Sequence, residues 1–204
     1  MILPVWYAIV FGLALIAFPI LLLYCIYLYP NYSIFTRTIS GLGNPDYKSA
    51  KIFNPTIFIM GFVLLPFPYF VLQVLPTHWM TTIGIMAFFF NPIGLILVGL
   101  FPEHKNIPHM IAATFAMGGI LIANIALVYP IFLSDLSIIT VIISSITLFT
   151  CWPLFISAIK YTQSYTPDQP IDNILFNVNF WEWIQFIVLQ TWISVLYINL
   201  LFLS

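Results

Sequence analysis

The stretch MTTIGIMAFFFNPIGLILVGLF, Met80–Phe101, carries no charged side chain from end to end. A helix needs ~20 apolar residues to cross a hydrocarbon core ~30 Å thick, so this stretch predicts a membrane span. Working outward, Leu3–Tyr29, Thr56–Leu75, Pro108–Phe132, Leu136–Ile159 and Asn177–Leu203 read the same way. The expectation is an all-α polytopic membrane protein. It is one domain over residues 1–204, a six-transmembrane-helix bundle with a long structured first loop. The first stretch has no basic leader and no small-residue cleavage site, and reads as a retained span.

Composition agrees. Hydrophobic residues make up 62% of the 204-residue chain and charged residues 5%. Soluble domains carry about 25% charge, so most of the outer surface must meet lipid. A net charge of −1 with no basic run excludes nucleic acid as a partner. No cofactor signature is present, and none is expected. Cys25 and Cys151 lie inside apolar stretches and read as small buried hydrophobes rather than as a disulfide or metal pair.

Proline marks the breaks, because it removes a helix donor and restricts the residue before it. Tyr29-Pro30-Asn31, Leu75-Pro76-Thr77, Phe101-Pro102-Glu103, Tyr129-Pro130 and the polar run Tyr161–Asn173 are the predicted boundaries. Pro19, Pro66, Pro68 and Pro92 fall inside spans and predict kinks, above all at Asn91-Pro92. Loop one, Pro30–Pro55, is too polar for lipid and is expected to fold over or into the bundle mouth. Gly41 and Gly43 bracket Leu42 and suggest a tight turn there. In span four, Ala112, Ala116 and Gly118-Gly119 form a small-residue face suited to close helix packing within the molecule. No internal repeat is visible, which gives an inverted-repeat transporter no support.

All five basic residues, Arg37, Lys48, Lys51, Lys105 and Lys160, sit in loops one, three and five. Loops two and four hold none. The positive-inside rule therefore places the decorated face in the cytoplasm.

Two stretches carry a family resemblance: YPNYSIFTRTISGLGNPDYKSAKIFNPTIFIMG (Tyr29–Gly61) and GLFPEHKNIPHMIAATFAMGG (Gly99–Gly119). The features are Tyr32-Ser33, Ile39-Ser40 followed by Gly43, Asn54 entering span two, Phe101-Pro102 and His109. With these the chain resembles domain-of-unknown-function family 998, small six-helix membrane proteins of prokaryotes. A similar skeleton occurs in DRAM/FRAG/SFK-type proteins, tied to lipid and membrane homeostasis. The resemblance implies a prokaryotic cell membrane and no established reaction. It also implies an extracytoplasmic first loop, opposite to the charge pattern.

The polar residues of the decorated face suggest three functions. The first is lipid handling or sensing, with membrane lipids as partners. Arg37, Lys48, Lys51 and Asn54 would receive an anionic headgroup beside Ser40 and His109. The second is an intramembrane lipid hydrolase or acyltransferase. His109 would be its acid–base group with Glu182 as acidic partner, and Ser40 the candidate nucleophile. Each residue also has a plainer reading: a structural hydrogen bond for His109, a headgroup-level carboxylate between two tryptophans for Glu182, a turn cap for Ser40. The third is a small transporter, disfavoured because spans one to five hold no charge at depth. No metal is expected; a set of His104, His109, Glu103 and Asp46 is the weak alternative, since those spacings match no zinc signature. His109 is expected to touch loop one between Ile39 and Asn54.

Overall fold

The computed structural model describes residues 2–105, 107–164 and 177–203. Among these, the chain is helical with no strand: α1 (Val5–Leu28), α2 (Ala50–Leu64), α3 (Phe67–Leu72), α4 (Trp79–Leu100), α5 (Ile107–Ala113), α6 (Gly119–Phe132), α7 (Ile138–Ser164) and α8 (Val178–Phe202). α2 with α3, and α5 with α6, each form one interrupted helix. Five units are long and apolar enough to cross a membrane: Val5–Leu28, Ala50–Leu72, Trp79–Leu100, Ile107–Phe132 and Val178–Phe202. This is an integral membrane protein. The apolar part of α7 is Ile138–Leu154. Lipid has no donors or acceptors for exposed backbone, and helices satisfy their own.

Several expected boundaries move. The second helix begins at Ala50, not Thr56, and runs through Pro55. That proline forgoes only the bond to the Lys51 carbonyl, at a helix start whose Lys51 side chain is exposed. Of the expected kink sites, Leu65-Pro66 parts α2 from α3, while α4 runs through Asn91-Pro92 as one helix, as expected of a single span. Tyr129-Pro130 is no boundary either, for α6 runs to Phe132. The polar run Tyr161–Asn173 starts inside α7. Its remainder, with Asp168 and Asp172, and the side chain of Lys160 lie outside the described residues.

The unexpected break is a π-turn at Thr114–Gly118. Widening a helix there takes a carbonyl out of the regular ladder. Asn91 Nδ2 donates to the Ala116 carbonyl at 2.8 Å, so the asparagine before Pro92 repairs a defect in the neighbouring helix. Gly94 allows that approach, since a Cβ there would run into the Ala116 backbone. Of the small-residue face, Ala112, Ala116 and Gly119 pack inward. Gly118 is half-buried, and a Cβ there would meet only the Thr114 side chain, at 3.9 Å.

α7 and α8 are joined by polar side chains at several levels. Asn199 Nδ2 donates to Thr140 Oγ1 at 3.1 Å, Trp192 Nε1 to Ser144 Oγ at 2.8 Å, and Thr150 Oγ1 to Gln185 Oε1 at 2.7 Å. Gln185 Nε2 reaches Cys151 Sγ at 3.2 Å. Both cysteines are free and buried. α1 meets α8 through longer reaches: Tyr197 OH donates to the Ala8 carbonyl at 2.7 Å and Gln190 Nε2 to the Leu15 carbonyl at 3.3 Å. The apolar core has two parts. One centres on Phe11, Phe67, Phe88 and Trp192, the other beneath loop one on Phe18, Leu42, Phe53 and Trp183.

Candidate functional site: an acidic mouth over an apolar cavity

Loop one enters the bundle as a 3-10 turn at Ser40–Gly43, with Gly41, Leu42 and Gly43 buried. The expected tight turn is present, without any glycine at positive φ. Gly43 is needed for closeness instead: a Cβ there would collide with Asn54 and Phe53.

Two acidic residues clamp this turn from opposite elements. Glu182 of α8 accepts the Ile39 backbone N–H on Oε2 at 3.0 Å. Glu103, in the turn after α4, accepts from Thr38 Oγ1 at 3.1 Å. Thr38 Oγ1 in turn accepts from Gly41 N at 3.0 Å and Ser40 Oγ at 3.2 Å. With its proton committed to Glu103, Thr38 can only accept from Ser40, so Ser40 is the donor in that pair.

Further bonds anchor the approach. Tyr32 OH donates to the Thr38 carbonyl at 2.9 Å and accepts from Trp183 Nε1 at 2.9 Å. Burial pushes the Tyr32 phenol above its ordinary value of ~10. The Trp183 N–H opposes that shift, and the charges of Glu182 and Glu103 add to it. Asn177 caps α8 by accepting Phe180 N at 3.0 Å while its Nδ2 donates to the Phe35 carbonyl at 2.8 Å. Ser49 Oγ and Asn54 Nδ2 donate to the carbonyls of Leu42 and Gly43 at 2.8 and 3.1 Å.

His109 is buried near the start of α5. Its hydrogen bond runs from Nδ1 to the Phe101 carbonyl at 2.8 Å, while its ring shares the cavity lining with Ile39 and Ser40 of loop one. The polar groups of loop one pair with Glu103, Glu182, Asn177, Trp183 and the loop's own side chains. A carbonyl only accepts, so Nδ1 carries the proton and Nε2 of the neutral ring is an acceptor.

Beneath the turn lies a cavity of about 130 Å³. Ile39, Ser40, His109 and Glu182 line its mouth end. Leu15, Ile57, Leu95, Phe186 and Ile193 are among the apolar residues that line the rest, with Asn91 and Gln190 as the polar exceptions. From Glu182 to Ile193 the lining follows α8 for ~16 Å, at ~1.5 Å per residue.

The fold thus brings Ser40, His109 and Glu182 to one cavity. It does not bring Arg37, Lys48 or Lys51 there: all three are exposed, outside the lining. Asn54 holds the turn. Asp46 and His104 are exposed while Glu103 and His109 face inward. Among the described residues no group of three or more His, Cys, Asp or Glu side chains comes together as a metal site. Thr38, Asn91 and Gln190 were not singled out as site residues. Asn91 and Gln190 had a signal, because a polar side chain within an apolar span is expected to face the bundle interior.

No curated protein and no solved structure matches the chain. A family match does, over residues 12–199, which takes in the cavity lining apart from Phe11 and every residue of the clamp. The chain therefore belongs to the family described as protein of unknown function, DUF998.

Proposed function

We propose that this protein is a non-enzymatic lipid-handling or lipid-sensing protein with six membrane spans, resident in a prokaryotic cell membrane. The cavity carries the reading: one polar end at the mouth, an apolar body running into the bundle, and a volume near that of the ~150 Å³ engineered cavity that accepts benzene. Such a space suits part of an apolar chain with a head at Ser40, His109 and Glu182. The exposed Arg37, Lys48 and Lys51 favour an outer face held against anionic headgroups. The sixth span is α7. Its support is the polar pairing that follows α8 from Asn199 to Gln185.

A second reading, an intramembrane lipid hydrolase or acyltransferase, draws on His109, whose ring is fixed by Phe101 and which lines the same cavity as Ser40 and Glu182. Against it, the Ser40 proton is directed to Thr38 rather than to a base.

Native mass spectrometry of the purified protein tests the first reading. Leu95→Trp, which fills the cavity, is expected to lower co-purified lipid several-fold, with Arg37→Ala changing it little. Incubation with a mixed lipid extract tests the second. Turnover that disappears in His109→Ala would replace the binding reading with the enzymatic one.

A further inference from the structure

The mouth end of the cavity contains hydrogen-bond acceptors with their own donors already committed. Ser40 has given its proton to Thr38, leaving the lone pairs of Oγ. His109 has given Nδ1–H to Phe101, leaving Nε2. Glu182 uses Oε2 for Ile39 N, and Oε1 has no hydrogen-bond partner among the described residues. Among the described residues no lysine or arginine lines the cavity, and Glu103 stands behind Ser40 through Thr38. Deeper in the same lining, Asn91 is 7% exposed and its Oδ1 is a buried acceptor without a partner. Its orientation is set by Nδ2 donating to Ala116.

An anionic head placed here would meet the carboxyl group of Glu182 and lone pairs, with no cation among the described residues to offset its charge, at a depth where unpaired charge is costly. A hydroxyl or ammonium head has the donors that these acceptors lack. The volume of about 130 Å³ adds a second restriction: it has room for part of one slim chain and not for the body of a two-chain phospholipid.

On the lipid-binding reading above, we infer that the ligand is a single-chain amphiphile whose head donates hydrogen bonds and carries no negative charge. Glu182 is its principal contact. The exposed cations take no part in recognising the head; they act on the bilayer surface.

The test uses the full chain in detergent and four probes of equal chain length: a primary amine, a monoacylglycerol, a fatty acid and a lysophosphatidic acid. Retention is read by native mass spectrometry. The amine and the monoacylglycerol are expected to be retained about tenfold more than either anion, the scale set by one hydrogen bond to a charged group. Glu182→Gln should lower retention of the amine about tenfold, with the unfolding temperature checked alongside. Arg37→Ala should leave the ranking unchanged. Equal or preferred retention of the anions in the wild type overturns the inference, whatever the variants do. If all four probes bind alike and Leu95→Trp expels them, the lipid-binding reading stands and the assignment of the head fails. Retention of none of the four by the wild type overturns both.

Discussion

The carboxylate of Glu182 and the backbone N–H of Ile39 meet at 3.0 Å across a separation of 143 residues, tying the last helix to the turn that fills the bundle mouth. Glu182 lies between Trp181 and Trp183, a setting that suggests a side chain reaching out to the headgroups. It reaches in instead. The neighbouring Trp183 is itself buried and bonded to Tyr32.

Glu182→Ala leaves that N–H without its acceptor. A buried donor left unpaired costs about 1–3 kcal/mol, so the unfolding temperature should fall. Trypsin should also cut faster at the exposed Arg37 and Lys48. Glu182→Gln keeps an acceptor oxygen and should recover most of the loss. Equal sensitivity of Ala and Gln variants would show that the clamp is not what holds the turn.

Asn91→Leu should destabilise by a similar ~1–3 kcal/mol, because the Ala116 carbonyl at the π-turn loses its donor. Gly94→Ala should cost about 1–3 kcal/mol through overpacking against the Ala116 backbone. The two sites share one contact, so the double variant should fall short of the sum. Thermal unfolding of the four proteins measures this; strict additivity would refute the shared contact.

Between α7 and α8, a double-mutant cycle of Ser144→Ala and Trp192→Phe should return a coupling near 0.6 kcal/mol, the average for hydrogen bonds between membrane helices. Both residues are fully buried, so the bond is not shared with solvent. A coupling indistinguishable from zero would remove that bond from the forces pairing the helices.

Orientation is open to labelling. Lys48 is exposed whereas its neighbour Ser49 is buried, so the reporter belongs at Lys48→Cys, in a background without Cys25 and Cys151. Labelling of intact cells by an impermeant thiol reagent is expected, following the family resemblance. Labelling only after lysis would return the decorated face to the cytoplasm, as the charge pattern reads.

The sequence by itself determined that this is a helical membrane protein, and located the five stretches long and apolar enough to cross a membrane. Hydrophobic length is a local quantity, and lipid leaves the backbone few alternatives. It also gave Ser40, His109 and Glu182 as residues of one end, because loop order places them there. The α7–α8 seam could have been read from Ser137, Thr140, Ser144, Thr147 and Cys151, whose alternating spacing of three and four keeps them on one helix face. The Ala50 start and the π-turn at Thr114–Gly118 were not legible. Each depends on whether a freed or misplaced carbonyl finds a partner, and for Ala116 the partner is an amide on another helix. Only the tertiary structure decided which hydrogen bonds the polar residues keep for themselves. Glu182 pairs with Ile39, His109 with Phe101 and Ser40 with Thr38, which leaves acceptors over an apolar cavity while Arg37, Lys48 and Lys51 stay outside it. Residue types fix what a side chain can donate or accept. The packing of distant segments decides what it has left to offer.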